Sequence, residues 1–122
     1  MSTLAPGRLQ IGNDTITVEI EPSAGGRIAQ ITCAGVELLI DRSDSTADPL
    51  RWGCYPMLPW AGRVRHGRFE LDGVAHQVPV GPDGHALHGV GFTSALTVAE
   101  QTVVSVDRTL QLPTDATWPF GG

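Results

Sequence analysis

The groups best suited to chemistry crowd into one stretch of this 122-residue chain. Residues 55–92, YPMLPWAGRVRHGRFELDGVAHQVPVGPDGHALHGVGF, contain all four histidines together with Arg63, Arg65 and Arg68. His88 lies in the run Leu87-His88-Gly89-Val90-Gly91-Phe92. An imidazole donates or accepts a proton near neutral pH, and the glycines that follow it let a ligand or another backbone approach closely. Taken alone, a histidine in such a place as readily caps a turn. Arg63 follows Ala61-Gly62, behind the aromatic and proline-rich PMLPW. A guanidinium there can make paired hydrogen bonds to adjacent hydroxyls, or an ordinary surface ion pair. Arg65, two residues on, shares its face if the strand continues. Arg68 reads as strand exterior.

Other chemistries fit less well. His85 and His88 could offer two nitrogens to a metal, but no third ligand stands at a suggestive spacing. Gly89-Val90-Gly91 opens like a dinucleotide fingerprint and lacks its third glycine and its helix. The net charge of −5 argues against a nucleic-acid or membrane-surface partner, since phosphate binding needs excess cation. The opening residues lack the charged and apolar regions of a signal peptide, and no apolar run is long enough to span a bilayer. Asn13-Asp14-Thr15 therefore reads as a turn rather than a glycosylation site. A cytoplasmic protein with Cys33 and Cys54 reduced is expected.

The rest of the chain must position the two loops. At 41% apolar and 17% charged it suits a folded domain with a modest core. Fifteen glycines and nine prolines favour short strands over long helices. Residues 15–21 (TITVEIE) alternate as a half-buried strand, with Ile16, Val18 and Ile20 on one face. Residues 27–32 and 36–40 form a hairpin about Ala34-Gly35. Residues 41–49 read as a polar, exposed loop. Residues 50–60 form an ordered segment under the site, in which Trp52, Tyr55 and Trp60 offer apolar surface to a ligand or pack as core. Residues 67–73 and 74–80 form a second hairpin about Asp72-Gly73. Residues 96–98 form a short strand and 103–112 a longer one. The expected fold is all-β, an antiparallel sandwich or barrel in a single domain over residues 1–122.

PMLPWAGRVRHGRFELDG followed by ALHGVGF resembles the N-terminal half of the aldose 1-epimerase (galactose mutarotase) family. GGRIAQITCAGVELLI resembles that family's opening hairpins. The resemblance implies an antiparallel β-sandwich of at least twice this length, of which this chain is the N-terminal part. It implies interconversion of the α and β anomers of free hexoses such as galactose, with no metal or organic cofactor. A glutamate takes the proton from the C1 hydroxyl while a histidine gives one to the ring oxygen. The resemblance makes Arg63 the substrate-binding arginine, and His88 the first active-site histidine, which lies near the ring oxygen and assists or positions, the main acid being a second histidine.

The family's second histidine, its sugar-binding aspartate and its catalytic glutamate correspond to positions beyond Gly122, so no general base is assigned. The chain alone is expected to show little mutarotase activity. The alternatives are a non-catalytic carbohydrate-binding module or an inactive fragment. Truncation of the sandwich would leave sheet edges open to self-association. The reading requires Arg63 and His88 to lie together on one side of the molecule, facing a small cavity.

Overall fold

The computed structural model describes residues 4–44 and 48–122. Residues 45–47, inside the expected polar loop, lie outside the described residues. Among the described residues, ten short strands and three 3₁₀ turns make up the regular structure, and the strands are antiparallel wherever they pair. The chain divides into two compact units. The first comprises Met1–Pro56 with Phe92–Leu110, and the second Met57–Gly91 with Gln111–Gly122.

The first unit is built on a four-stranded meander, β1 (Leu9–Gly12), β2 (Ile16–Glu21), β3 (Arg27–Cys33) and β4 (Val36–Glu37), in that spatial order. The Asn13 carboxamide sets the turn between β1 and β2, accepting from the N–H groups of Thr15 and Ile16. Ala34 and Gly35 both take positive φ, the conformation a tight two-residue hairpin requires. Alternation along β2 breaks at its end, where Ile20 and Glu21 are both buried. The register shifts there: Glu19 faces Gln30 and Ile20 faces Ile28, so Ala29 is an extra residue bulged from β3. Ile16 is exposed, against its expected inward face.

The third expected strand is much shorter than residues 36–40. The ladder is replaced by a buried amide. Gln30, 2% exposed, donates from Nε2 to the Leu39 carbonyl and accepts from the Leu39 N–H through Oε1. Leu39 thus bonds to a side chain rather than to a strand. Val36, Leu38 and Ile40 are left exposed along this edge. A hairpin of β9 (Thr97–Gln101) and β10 (Val106–Thr109) completes the unit. Val103 and Val104, expected inside a long strand over 103–112, sit in its turn and are highly exposed. Thr102 fixes that turn through bonds with Ser105 and the Val104 N–H. The hairpin is stitched on by Gly12 N–H to the Val103 carbonyl and by Arg108 to the Gly26 carbonyl.

A buried arginine holds the irregular segments of this unit. Arg27 is 1% exposed. Its guanidinium donates to the carbonyls of Ala24, Pro49, Trp52 and Phe92 at 2.7 to 2.9 Å. It lies 4.1 Å from the Trp52 ring centroid and 5.2 Å from that of Tyr55. Burial pulls its pKa below the ordinary arginine value, partly opposed by the Glu21 carboxylate. Glu21, also buried, pairs with Arg8 and Arg42. Polar groups so placed are tolerable only when saturated with partners, because each unmet donor or acceptor inside costs about 1–3 kcal/mol.

The second unit holds two small ladders, β5 (Arg63–Val64) with β8 (Ala86–Leu87), and β6 (Arg68–Leu71) with β7 (Val74–Gln77). Asp72 and Gly73 take positive φ and close the β6–β7 hairpin, as the sequence predicts. Its apolar contacts are largely aromatic. Trp118 stands 5.5 Å from Trp60 and 5.3 Å from Phe120, and Phe120 stands 4.8 Å from His76. The segment Gln111–Gly122 folds back on itself, with the Leu112 N–H on the Gly122 carbonyl and Trp118 Nε1 on the Gly121 carbonyl.

Candidate functional site

The β5–β8 ladder brings the two candidate residues together. Arg63 faces Leu87 across it, so His88 falls opposite Gly62. The His88 N–H donates to the Gly62 carbonyl at 2.9 Å, and the Gly62 N–H donates to His88 Nδ1 at 3.0 Å. The imidazole therefore takes the place that a main-chain carbonyl would hold in a continued ladder. With Nδ1 accepting, the neutral ring carries its proton on Nε2. His88 has φ of 58°, a left-handed backbone uncommon for a side chain of this size. The bond from Gly62 ties down the unusual conformer.

Gly89 explains the neighbouring glycines. Its φ is +76°, and a Cβ there would collide with the Leu58 carbonyl. That carbonyl accepts from the N–H groups of both Val90 and Gly91, at 2.7 and 2.9 Å. The close approach allowed by glycine is thus made by the backbone of residues 58–59, and His88 is braced on both sides.

Arg63 projects outward, with its side chain 60% exposed. Its Nε donates to Asp83 Oδ2 at 2.9 Å. That bond, with one from the His85 N–H, holds the Asp83 carboxyl below its usual pKa. Arg65 does not continue the strand, because the chain turns into a 3₁₀ segment over Arg65–Gly67 in which His66 has φ of 54°. The His66 N–H donates to His85 Nδ1 at 2.9 Å, and the two rings lie 4.9 Å apart. Among the described residues, no three of His, Cys, Asp or Glu come together as a metal site. Nor, among them, is any helix long and apolar enough to cross a membrane.

The aromatic residues that precede Arg63 in the sequence divide by role. Trp52 is 3% exposed and covered by Arg27, so it is core rather than sugar surface. Tyr55 packs 5.7 Å from Phe92 and donates to the Leu50 carbonyl. Trp60 packs at a tilt against Trp118, and its buried Nε1 has no hydrogen-bond partner among the described residues. A hollow of about 640 Å³ lies in the first unit, bordered by Gln10, Asn13, Asp14, Thr17, Gln101 and Thr102. It contains neither Arg63 nor His88. Sequence reasoning missed two partners of the site, Asp83 and the Gly62 N–H. The first read only as a turn residue in GPDG, and the second is a main-chain group with no signature in sequence.

The aldose 1-epimerase family model matches residues 7–121. The chain belongs to that family. A relative, the uncharacterized protein YihR of Escherichia coli strain K12, is 27% identical over 100 residues, covering 80% of this chain and 32% of the relative. The galactose mutarotase related enzyme of Lactobacillus acidophilus superposes with a TM-score of 0.71 at 22% identity, over 93% of this chain and 36% of its own. The Slr1438 protein of Synechocystis sp. PCC 6803 superposes with a TM-score of 0.74 at 20% identity, over 96% of this chain and 41% of its own. The fold is therefore galactose mutarotase-like, and the chain spans about a third of the length of these relatives.

Proposed function

We propose that this chain carries part of the sugar site of an aldose 1-epimerase, with His88 and Arg63 as its working groups. One observation carries the reading: His88 Nδ1 is occupied by the Gly62 N–H, which leaves the ring proton on Nε2. An Nε2–H can give a hydrogen bond to the ring oxygen of a pyranose and so assist its protonation. The C1–O5 bond breaks as the C1 hydroxyl loses its proton to a base, yielding the open-chain aldehyde. Rotation about C1–C2 and closure on the opposite face invert C1. Arg63, one ladder position from Gly62, presents cationic donors to neighbouring hydroxyls. No residue of this chain is assigned as the base. The substrate class is a free aldohexose, and the expected compartment is the cytoplasm.

A second reading is sugar binding without conversion. It is favoured because Asp83, the carboxylate bonded to Arg63, is engaged by both that guanidinium and the His85 N–H. Following the anomers of α-galactose by NMR separates the two. Conversion above the spontaneous rate that His88→Ala abolishes supports the first. Saturable shifts without conversion support the second. Neither response, in a folded chain, overturns both.

A further inference from the structure

The sugar reading leaves a physical problem. Arg63 sits on a two-residue strand with its side chain mostly in solvent. A long, mobile guanidinium loses much rotamer freedom on binding a hydroxyl, so an unbraced one makes a poor recognition group. The brace is Asp83. Its Oδ2 takes the Arg63 Nε–H at 2.9 Å, and its Oδ1 accepts the His85 N–H at 3.0 Å. The turn carrying it is closed by Gly81 N–H to the His85 carbonyl and by Gly84 N–H to the Gly81 carbonyl. His85 is tied in turn to the segment after β5 through its bond from the His66 N–H. The turn then runs directly into β8 and His88.

The geometry points to Asp83 as a positioning residue that fixes the Arg63 guanidinium by its Nε edge and leaves both Nη groups to bind vicinal hydroxyls of a hexose. This rests on the sugar reading above. A carboxylate acting instead as a competitor of the substrate would occupy the Nη pair, the bidentate edge. Among the described residues Asp83 is the one polar partner of Arg63, through Nε. Asp83 touches no sugar in this scheme; it acts through Arg63.

The test uses the full chain and galactose. Wild type, Asp83→Asn, Asp83→Ala and Asp83→Glu are titrated while the ¹⁵N-resolved Nε–H signal of Arg63 and the sugar-induced shifts are recorded. In Asp83→Asn and Asp83→Ala the Arg63 Nε–H signal should broaden through faster exchange. Galactose affinity should fall about threefold, the scale of an exposed ion pair. The melting temperature should fall only slightly, since both bonds to Asp83 are solvent-exposed, and Asp83→Glu should retain affinity better than Asp83→Asn. If wild type converts anomers, the loss should appear in KM and not in kcat. Unchanged or tighter galactose binding in Asp83→Ala, with a normal wild-type response, overturns the role of Asp83 alone. A folded wild type indifferent to galactose overturns the sugar reading itself.

Discussion

Two arginines show how the two units differ. Arg27 is buried, bonded to four main-chain carbonyls and covered by Trp52 and Tyr55. Arg63 is largely solvent-exposed and bonds through Nε to one carboxylate. The first has four of its five N–H donors committed to holding loops, so it has little left to offer a ligand. The second contributes little to folding and keeps donors in reserve. An arginine's use follows from what its surroundings leave undone, and charge alone does not reveal it.

The largest expected effect tests the buried member. Arg27→Lys cannot reach four carbonyls with one ammonium, so several acceptors go unmet. Stability should fall by about 3 kcal/mol or more by urea denaturation. A loss below about 1 kcal/mol would mean the four bonds are not structural. Next comes Gly89→Ala, which adds a Cβ against the Leu58 carbonyl and strains φ of +76°. It should cost about 1–3 kcal/mol and remove any sugar response, because the His88 loop must move.

Arg63→Ala is the counterpart of Arg27→Lys. Its melting temperature should match wild type while galactose-induced shifts disappear. A fall in stability comparable to that of Arg27→Lys would erase the contrast between the two arginines. Trp60→Phe sharpens the picture of the second unit. It keeps an aromatic ring against Trp118 and deletes a buried donor without a partner, so stability should hold or rise by up to about 1 kcal/mol. A marked loss would show that the indole's extra area outweighs its orphan N–H.

The smallest effect is in pH. The Asp83 and Asp115 carboxyls are held low by hydrogen bonds, led by those from Arg63 and Thr117. Burial pushes Asp41 up, but bonds from Ser43 and the charge of Arg8 outweigh it, and its pKa is also lowered. The fold thus favours the ionised form of all three. Their contribution is present above the unfolded value of about 3.9 and is lost as pH falls through the lower folded values. Urea midpoints should stay level from neutral pH down to about 5 and decline below about 4. A decline starting near neutrality would point to other groups.

Much of the fold was legible because it is local. The Ala34-Gly35 and Asp72-Gly73 turns and the strands beside them follow from turn chemistry and period-two alternation. The strand over Leu9–Gly12 was missed, since LQIG is too short to show alternation. The truncated β4 and the two buried residues ending β2 depend on Gln30 and on the bulge at Ala29, both long-range events. At the candidate site, Arg63 and His88 were singled out by the family resemblance of the segments that carry them. Trp52 proved to be core because the side chain covering it, Arg27, comes from 25 residues away.

By itself the sequence determined the β class, the main turns, the family resemblance and the two residues worth testing, because these rest on residue identity and short spacings. Only the tertiary structure decided what each group is bonded to. The Gly62 N–H on His88 Nδ1, Asp83 on Arg63 and the four carbonyls on Arg27 join residues from 3 to 65 positions apart. Hydrogen bonds form between groups that folding makes neighbours, and that neighbourhood is set by the packing of the chain rather than by any one segment of it.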